Sequence, residues 1–387
     1  MATAFAGFED YIEYLATGKL DGYLDSIQRE DKNTDLKVDL NLDPILLLHD
    51  LGKHVDQKRV ECLFIKDTTL VASRQSVKIV DINLVLSSHL FSVSYSGKTR
   101  FLLDGLCQNW SLYISCRTNQ GLASGSDDFT VAMEMLQSTW NKGESSRRNS
   151  FQNSRAADRA CTMLLCARFF ILRRLVLHLP VNTDAMVARR RWVLAQVLPP
   201  RLKTESDDLF VKLLWGLRHA DIYIMEKVIL STIVFLNTRP DMISEGNNTT
   251  LYLVIDDAQV AAHYLEDFTT GPDLRPIFRE IYRFFDSGFF NGIIFSGTAL
   301  SMKIEDRPWE GSAVYTGRLR RPRVITDIGR FTRDDPSQVA YIRRYLTLSE
   351  NDVSDRRLLE RMTFWFSGRY VYSSRLTLHV SFSLLIW

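Results

Sequence analysis

The stretch "LYLVIDDAQ" constrains this chain more than any other. Leu251 to Ile255 is an unbroken apolar run, and it ends in two acids, Asp256 and Asp257. A strand with one wet face alternates polar and apolar residues. A continuous run needs cover on both faces, as in the centre of a parallel sheet. "NGIIFSGTAL" repeats the pattern, with small polar residues where the run ends. "SLYISC" and "RPRVITDIGRF" read as further strands. "GKTRFLLDGLCQNW", "PIFREIYRFFDSG", "DPSQVAYIRRYLTL" and "DRRLLERMTFWFSG" carry helical spacing. Strands separated by helices predict an α/β fold, a parallel sheet flanked by helices.

The chain has 387 residues, enough for a large core and more than one module. With 45% hydrophobic and 24% charged residues it has the composition of a globular protein. A net charge of +2 gives the whole chain no general attraction to nucleic acid. Five cysteines form no CxxC pair, which predicts reduced, mostly buried thiols and an intracellular setting, cytoplasm or nucleus. "MATAFAGFEDYIEYLATG" lacks the basic start and apolar block of a signal peptide. "LTLHVSFSLLIW" is too short to span a bilayer.

Five segments are expected. Residues 1–59 read as an N-terminal helical segment in which "LDPILLLHDLG" stops at Gly52. Residues 60–137 hold the first part of the core, with one or two short strands over Val60–Ser73. Residues 138–240 are a loop and a mostly helical insertion: the Ser-, Asn- and Arg-rich stretch 138–158 reads as exposed, and the helices run from Arg159 to about Leu236. The first and last of these helices are apolar nearly all round, so burial is expected for both. Residues 241–330 are the second part of the core. Residues 331–387 are helical with an apolar tail that needs covering.

The chemistry begins at "FSVSYSGKTRFLLDGL". A phosphate-gripping loop of pattern Gly-x-x-x-x-Gly-Lys-Ser/Thr needs glycine-rich backbone so that its N–H groups wrap phosphates. It needs Lys for the β- and γ-phosphates, and Ser or Thr for Mg²⁺. Here Gly97, Lys98 and Thr99 match, and Ser92 stands where the first Gly belongs. A bare match of this length also opens surface turns. The acid strand adds a second signal, because such enzymes hold the Mg²⁺ shell with an acid at a strand end, often followed by one that polarises water. Asp256 and Asp257 fill those places. The next strand ends in Ser296 and Thr298, candidates for a sensor of the γ-phosphate. Arginines from "GRLRRPR" (Arg318, Arg320, Arg321, Arg323) or Arg369 of "FSGRY" are candidates to neutralise transition-state charge. "RRR" at 189–191 reads as the polar face of a helix. His178, His219 and His263 show no ligand spacing.

Together "LLLHDLG", "SGKTRFLLDGLCQNWSLYIS", "LYLVIDDAQ", "GIIFSGTALS", "TDIGRF" and "RRLLERMTFWFSGRY" resemble the P-loop NTPase module of Crinkler-type and retrotransposon-hot-spot proteins, abundant in oomycetes and mushroom-forming fungi. The ordered blocks cover residues 45–372. The resemblance implies an AAA- or STAND-like ATPase fold. It implies that Ser96, Gly97, Lys98, Thr99 and Arg100 grip the nucleotide, and that Thr99 and Asp256 hold Mg²⁺. Asp257 would activate water, where Glu is more usual, and Gln259 would help orient the site. Relatives run from the strand straight into the loop. Here "TTLVAS" at 68–73 looks like that strand, so residues 75–95 are expected as an insertion. The pattern also breaks after Tyr370, and no effector domain is expected after it.

The expected function is an ATP- and Mg²⁺-binding switch with slow or impaired hydrolysis, in contact with a protein partner or a second copy. Two alternatives stand beside it: an inactive pseudo-NTPase scaffold, and a nucleic-acid-binding effector using the arginine clusters.

Overall fold

The computed structural model describes residues 51–52, 57–64, 86–91, 98–116, 125–139, 147–180, 183–197, 208–239, 251–263, 290–297, 323–325, 339, 343, 348–349 and 351–366. In chain order the elements are α1 (Gln57–Leu63), β1 (Leu86–Phe91), α2 (Lys98–Leu106), β2 (Trp110–Ser115), α3 (Asp128–Thr139), α4 (Arg147–His178) and α5 (Ala185–Val197). They continue with α6 (Leu209–Leu217), α7 (Ile222–Asn237), β3 (Leu251–Asp256), α8 (Ala258–His263), β4 (Gly292–Gly297), β5 (Arg323–Ile325) and α9 (Val353–Phe366).

The strands form one parallel sheet in the order β2-β3-β4-β1-β5. Every residue of β2, β3 and β4 is buried, as the apolar runs of β3 and β4 require. The chain leaves β1 for β2 at one edge of the sheet, and leaves β4 for β5 at the other. Neighbouring strands whose connections part in this way open a crevice outside their carboxyl ends, where open α/β sheets bind ligands.

Residues 86–91 lie within the stretch read as an insertion, yet they form β1. That strand pairs along its length with β4 and on its other side with β5. The strand before "SGKTR" is therefore "LSSHLF", with residues 92–97 between it and α2. The candidate strand 68–73 lies outside the described residues.

Three further expectations change. Val60 to Leu63 belongs to helix α1, not to a strand. Val60, Leu63 and Phe64 are all buried, and their spacing is helical. Residues 147–158 are the first turns of α4, not an exposed loop. Asn153, Ala157, Ala160 and Leu164 recur at helical spacing and are buried, so a polar stretch still has one covered face. Helix α7 is not buried all round, because Tyr223, Leu230 and Val234 stay exposed on it.

The helices between β2 and β3 cover the β2 edge of the sheet. An edge strand presents unpaired backbone groups that must be satisfied or shielded. Helix α5 supplies Gln196, whose Oε1 accepts from Tyr113 N at 2.7 Å, and Trp192, whose Nε1 donates to Ser111 O at 2.6 Å. Helix α4 supplies Arg168, fully buried, which donates to Tyr113 O and pairs with Asp128 of α3 at 2.7 Å. The two ends of this ion pair are both at 0% exposure. No helix among the described residues is long and apolar enough to cross a membrane.

Candidate functional site

The register places the site. Ser115 of β2 pairs with Asp256 of β3, and Ser296 of β4 pairs with Leu90 of β1. Ile255 pairs with Phe295, so Asp256 and Ser296 follow one step on, at the carboxyl ends of adjacent strands. Helix α2 begins at Lys98, after β1. The crevice where β1 and β4 part company therefore receives the start of α2 from one side and Asp256 from the other.

The two halves meet. Thr99 Oγ1 donates to Asp256 Oδ2 at 2.8 Å, across 157 positions of sequence. The same carboxylate oxygen accepts from the Tyr113 hydroxyl at 3.0 Å, and Oδ1 accepts from Asp257 N at 3.0 Å. Lys98, only 7% exposed, lies in the field of Asp256 and Asp257. Its pKa is lowered, because the loss of water around the ammonium outweighs the pull of the two acids. The Asp256 pKa is raised, first by burial and then by Asp257, against the hydrogen bond from Thr99, the nearby Ser296 hydroxyl and the hydrogen bond from Tyr113, which favour the charged form. Ser296 sits close enough to Asp256 to act on it, but its fully buried hydroxyl completes no well-formed hydrogen bond.

Asp257 has φ +53°, a left-handed conformation uncommon outside glycine that Asp tolerates better than most residues. Its Oδ1 accepts from Gln259 Nε2 at 3.0 Å. Arg100 does not join the cluster through its Nε, which donates to Asp104 Oδ2 at 2.8 Å, one turn along α2. Asp104 in turn accepts from Gly52 N at 2.8 Å, where the chain turns with φ +79°. Arg100 thus braces α2 against residues 51–52. Ser96, Gly97, Thr298 and Arg369, with the arginines at 318, 320 and 321, lie outside the described residues. Arg189 departs from a simple polar face: its Nε donates to Cys107 O at 3.1 Å, joining α5 to the end of α2.

Four of the five thiols are buried. Burial, then the nearby acids, push the Cys116 thiol well above its ordinary range. Sequence reasoning missed Tyr113 and Arg168. Tyr113 stands inside a strand whose other residues read as core. Arg168 sits in "LLCARFFILRR", where nothing in the sequence distinguishes this fully buried arginine from the half-buried Arg173 and Arg174.

Among the described residues no group of three or more His, Cys, Asp or Glu side chains could hold a metal. Mg²⁺ does not need one, since it keeps several waters and binds through one or two carboxylates plus substrate phosphates. Thr99 and Asp256 fit that demand. Two acids against one lysine leave room for a cation, and the unsatisfied Ser296 hydroxyl leaves a polar group for a further ligand. No protein-family model, curated protein or solved structure matches this chain.

Proposed function

We propose that this chain is a P-loop NTPase module of AAA/STAND-like type that binds ATP with Mg²⁺ and serves as a nucleotide-dependent switch with slow hydrolysis. The observation that carries the reading is the bond from Thr99 Oγ1 to Asp256 Oδ2. It joins the start of a helix after β1 to the acid at the end of β3, with the Ser296 strand between them. A surface turn opening a helix would have no reason to meet a buried carboxylate so far along the chain.

Each residue has a task. Lys98 reaches β- and γ-phosphate oxygens, and phosphate replaces the water its ammonium has lost. Thr99 and Asp256 would hold Mg²⁺, which when bound would draw charge off the phosphates. Ser296 offers its hydroxyl to the γ-phosphate, matching its lack of a completed hydrogen bond. Asp257 orients the attacking water.

Slow turnover has its own support. The Asp257 side chain is one methylene shorter than the usual Glu, and its Oδ1 is engaged by Gln259. This favours, as a second reading, a module that binds without hydrolysing. Phosphate release separates the two. A hydrolysing protein releases phosphate slowly, and Asp257→Asn abolishes that release. A non-hydrolysing one releases none before or after the substitution, with Mg·ATP affinity intact.

A further inference from the structure

Resting on the nucleotide reading, we infer that Tyr113 is a positioning residue for the Mg²⁺ acid and that it ties this carboxylate to the helical layer over β2. Tyr113 is 1% exposed, and its direct partner on β3 is Val254. Asp256 lies two residues further on the same face, a diagonal that only a long side chain spans. The phenol does so, donating to Asp256 Oδ2 at 3.0 Å, the oxygen that Thr99 also uses. Two donors from different elements, with Asp257 N on Oδ1, fix the plane of the carboxylate.

The other end of Tyr113 is held as firmly. Its backbone N donates to Gln196 of α5, and its carbonyl accepts from Arg168 of α4, which is anchored by Asp128 of α3. Three helices of the layer between β2 and β3 thus set the position of one tyrosine, and its hydroxyl sets one oxygen of the site. A plain core residue at this place would need no hydroxyl. Phe would fill the same volume, and the buried oxygen costs free energy unless it is used. Partners that orient a metal-binding carboxylate are typically worth ten- to a hundredfold in metal affinity.

The test is calorimetric titration of the whole chain with ATP, in Mg²⁺ and separately in EDTA, for wild type, Tyr113→Phe, Asp256→Asn and the double variant. The ratio of the two affinities measures what the metal contributes. Tyr113→Phe is expected to cut that ratio about tenfold while changing the EDTA affinity less than about twofold. In the Asp256→Asn background, removing the hydroxyl is expected to add nothing. A purely structural role would lower both affinities together. If wild type shows Mg²⁺-dependent binding and Tyr113→Phe shows the same ratio, or the loss persists without the Asp256 carboxylate, this inference is overturned and the nucleotide reading stands. If wild type shows no Mg²⁺-dependent binding, both fall. Apo melting curves identify any misfolded variant. If Tyr113→Phe misfolds, wild-type chain with 3-fluorotyrosine, a stronger donor of nearly the same shape, must show an altered ratio, and an unchanged one overturns the inference.

Discussion

At the scale of single residues, Asp256 carries opposed demands. Burial and the neighbouring Asp257 favour its neutral form, while Thr99, Tyr113 and Ser296 favour the carboxylate, and the balance raises its pKa above the ordinary 3.8. A carboxyl with a raised folded pKa holds its proton where the unfolded chain has already released one. Stability of the ligand-free protein therefore falls as pH rises from 3.8 through the raised value, and the penalty is complete above it. Asp256→Asn removes the titrating group, so its melting temperature should lack this share of the pH slope. Melting curves of both proteins across the acid range check this, and parallel curves would contradict it. Asp256 and Asp257 were legible as a pair of acids at a strand end. The donors around them were not, since a tyrosine two positions along another strand is a partner only once the register is known.

At the scale of elements, the β2 edge shows how the helical layer and the sheet depend on each other. Arg168 and Asp128 are an ion pair at 0% exposure, and Arg168 also covers the Tyr113 carbonyl. Arg168→Ala leaves a buried carboxylate unpaired and a backbone acceptor open, and should cost about 3–5 kcal/mol in urea unfolding. Arg168→Met with Asp128→Asn leaves no buried charge and should recover much of that loss. A small single-variant effect would mean that water reaches the pair. The elements that the sequence made plain were β3 and β4, whose apolar runs, buried on both faces, leave little choice. Composition misled where polar residues hid a face. Residues 147–158 look like a loop because Ser, Asn and Arg dominate, yet the buried positions Asn153 and Ala157 fall one turn apart. Strand β1, "LSSHLF", lies in a β-rich stretch that the resemblance set aside as an insertion, and its place comes from pairing with β4 and β5.

At the scale of the whole molecule, the strand order is what makes a site from distant motifs. β1 and β2 follow each other in sequence but lie apart in the sheet, with β4 and β3 between them. The start of α2 is thereby set across the ends of three adjacent strands, and Lys98 and Thr99 reach acids more than 150 positions away. Local patterns supplied the α/β class and most of the candidate residues. They could not supply the order of strands, which no short stretch encodes. The central claim is that this convergence binds the phosphates of a nucleoside triphosphate. Calorimetric titration of Mg·ATP into wild type and Lys98→Ala, each confirmed folded by its far-ultraviolet spectrum, tests it most directly. The account predicts saturable one-site binding by wild type and a loss of at least about tenfold in Lys98→Ala, the scale of one charge-assisted contact. Equal binding by the two proteins, or none by wild type, would contradict it.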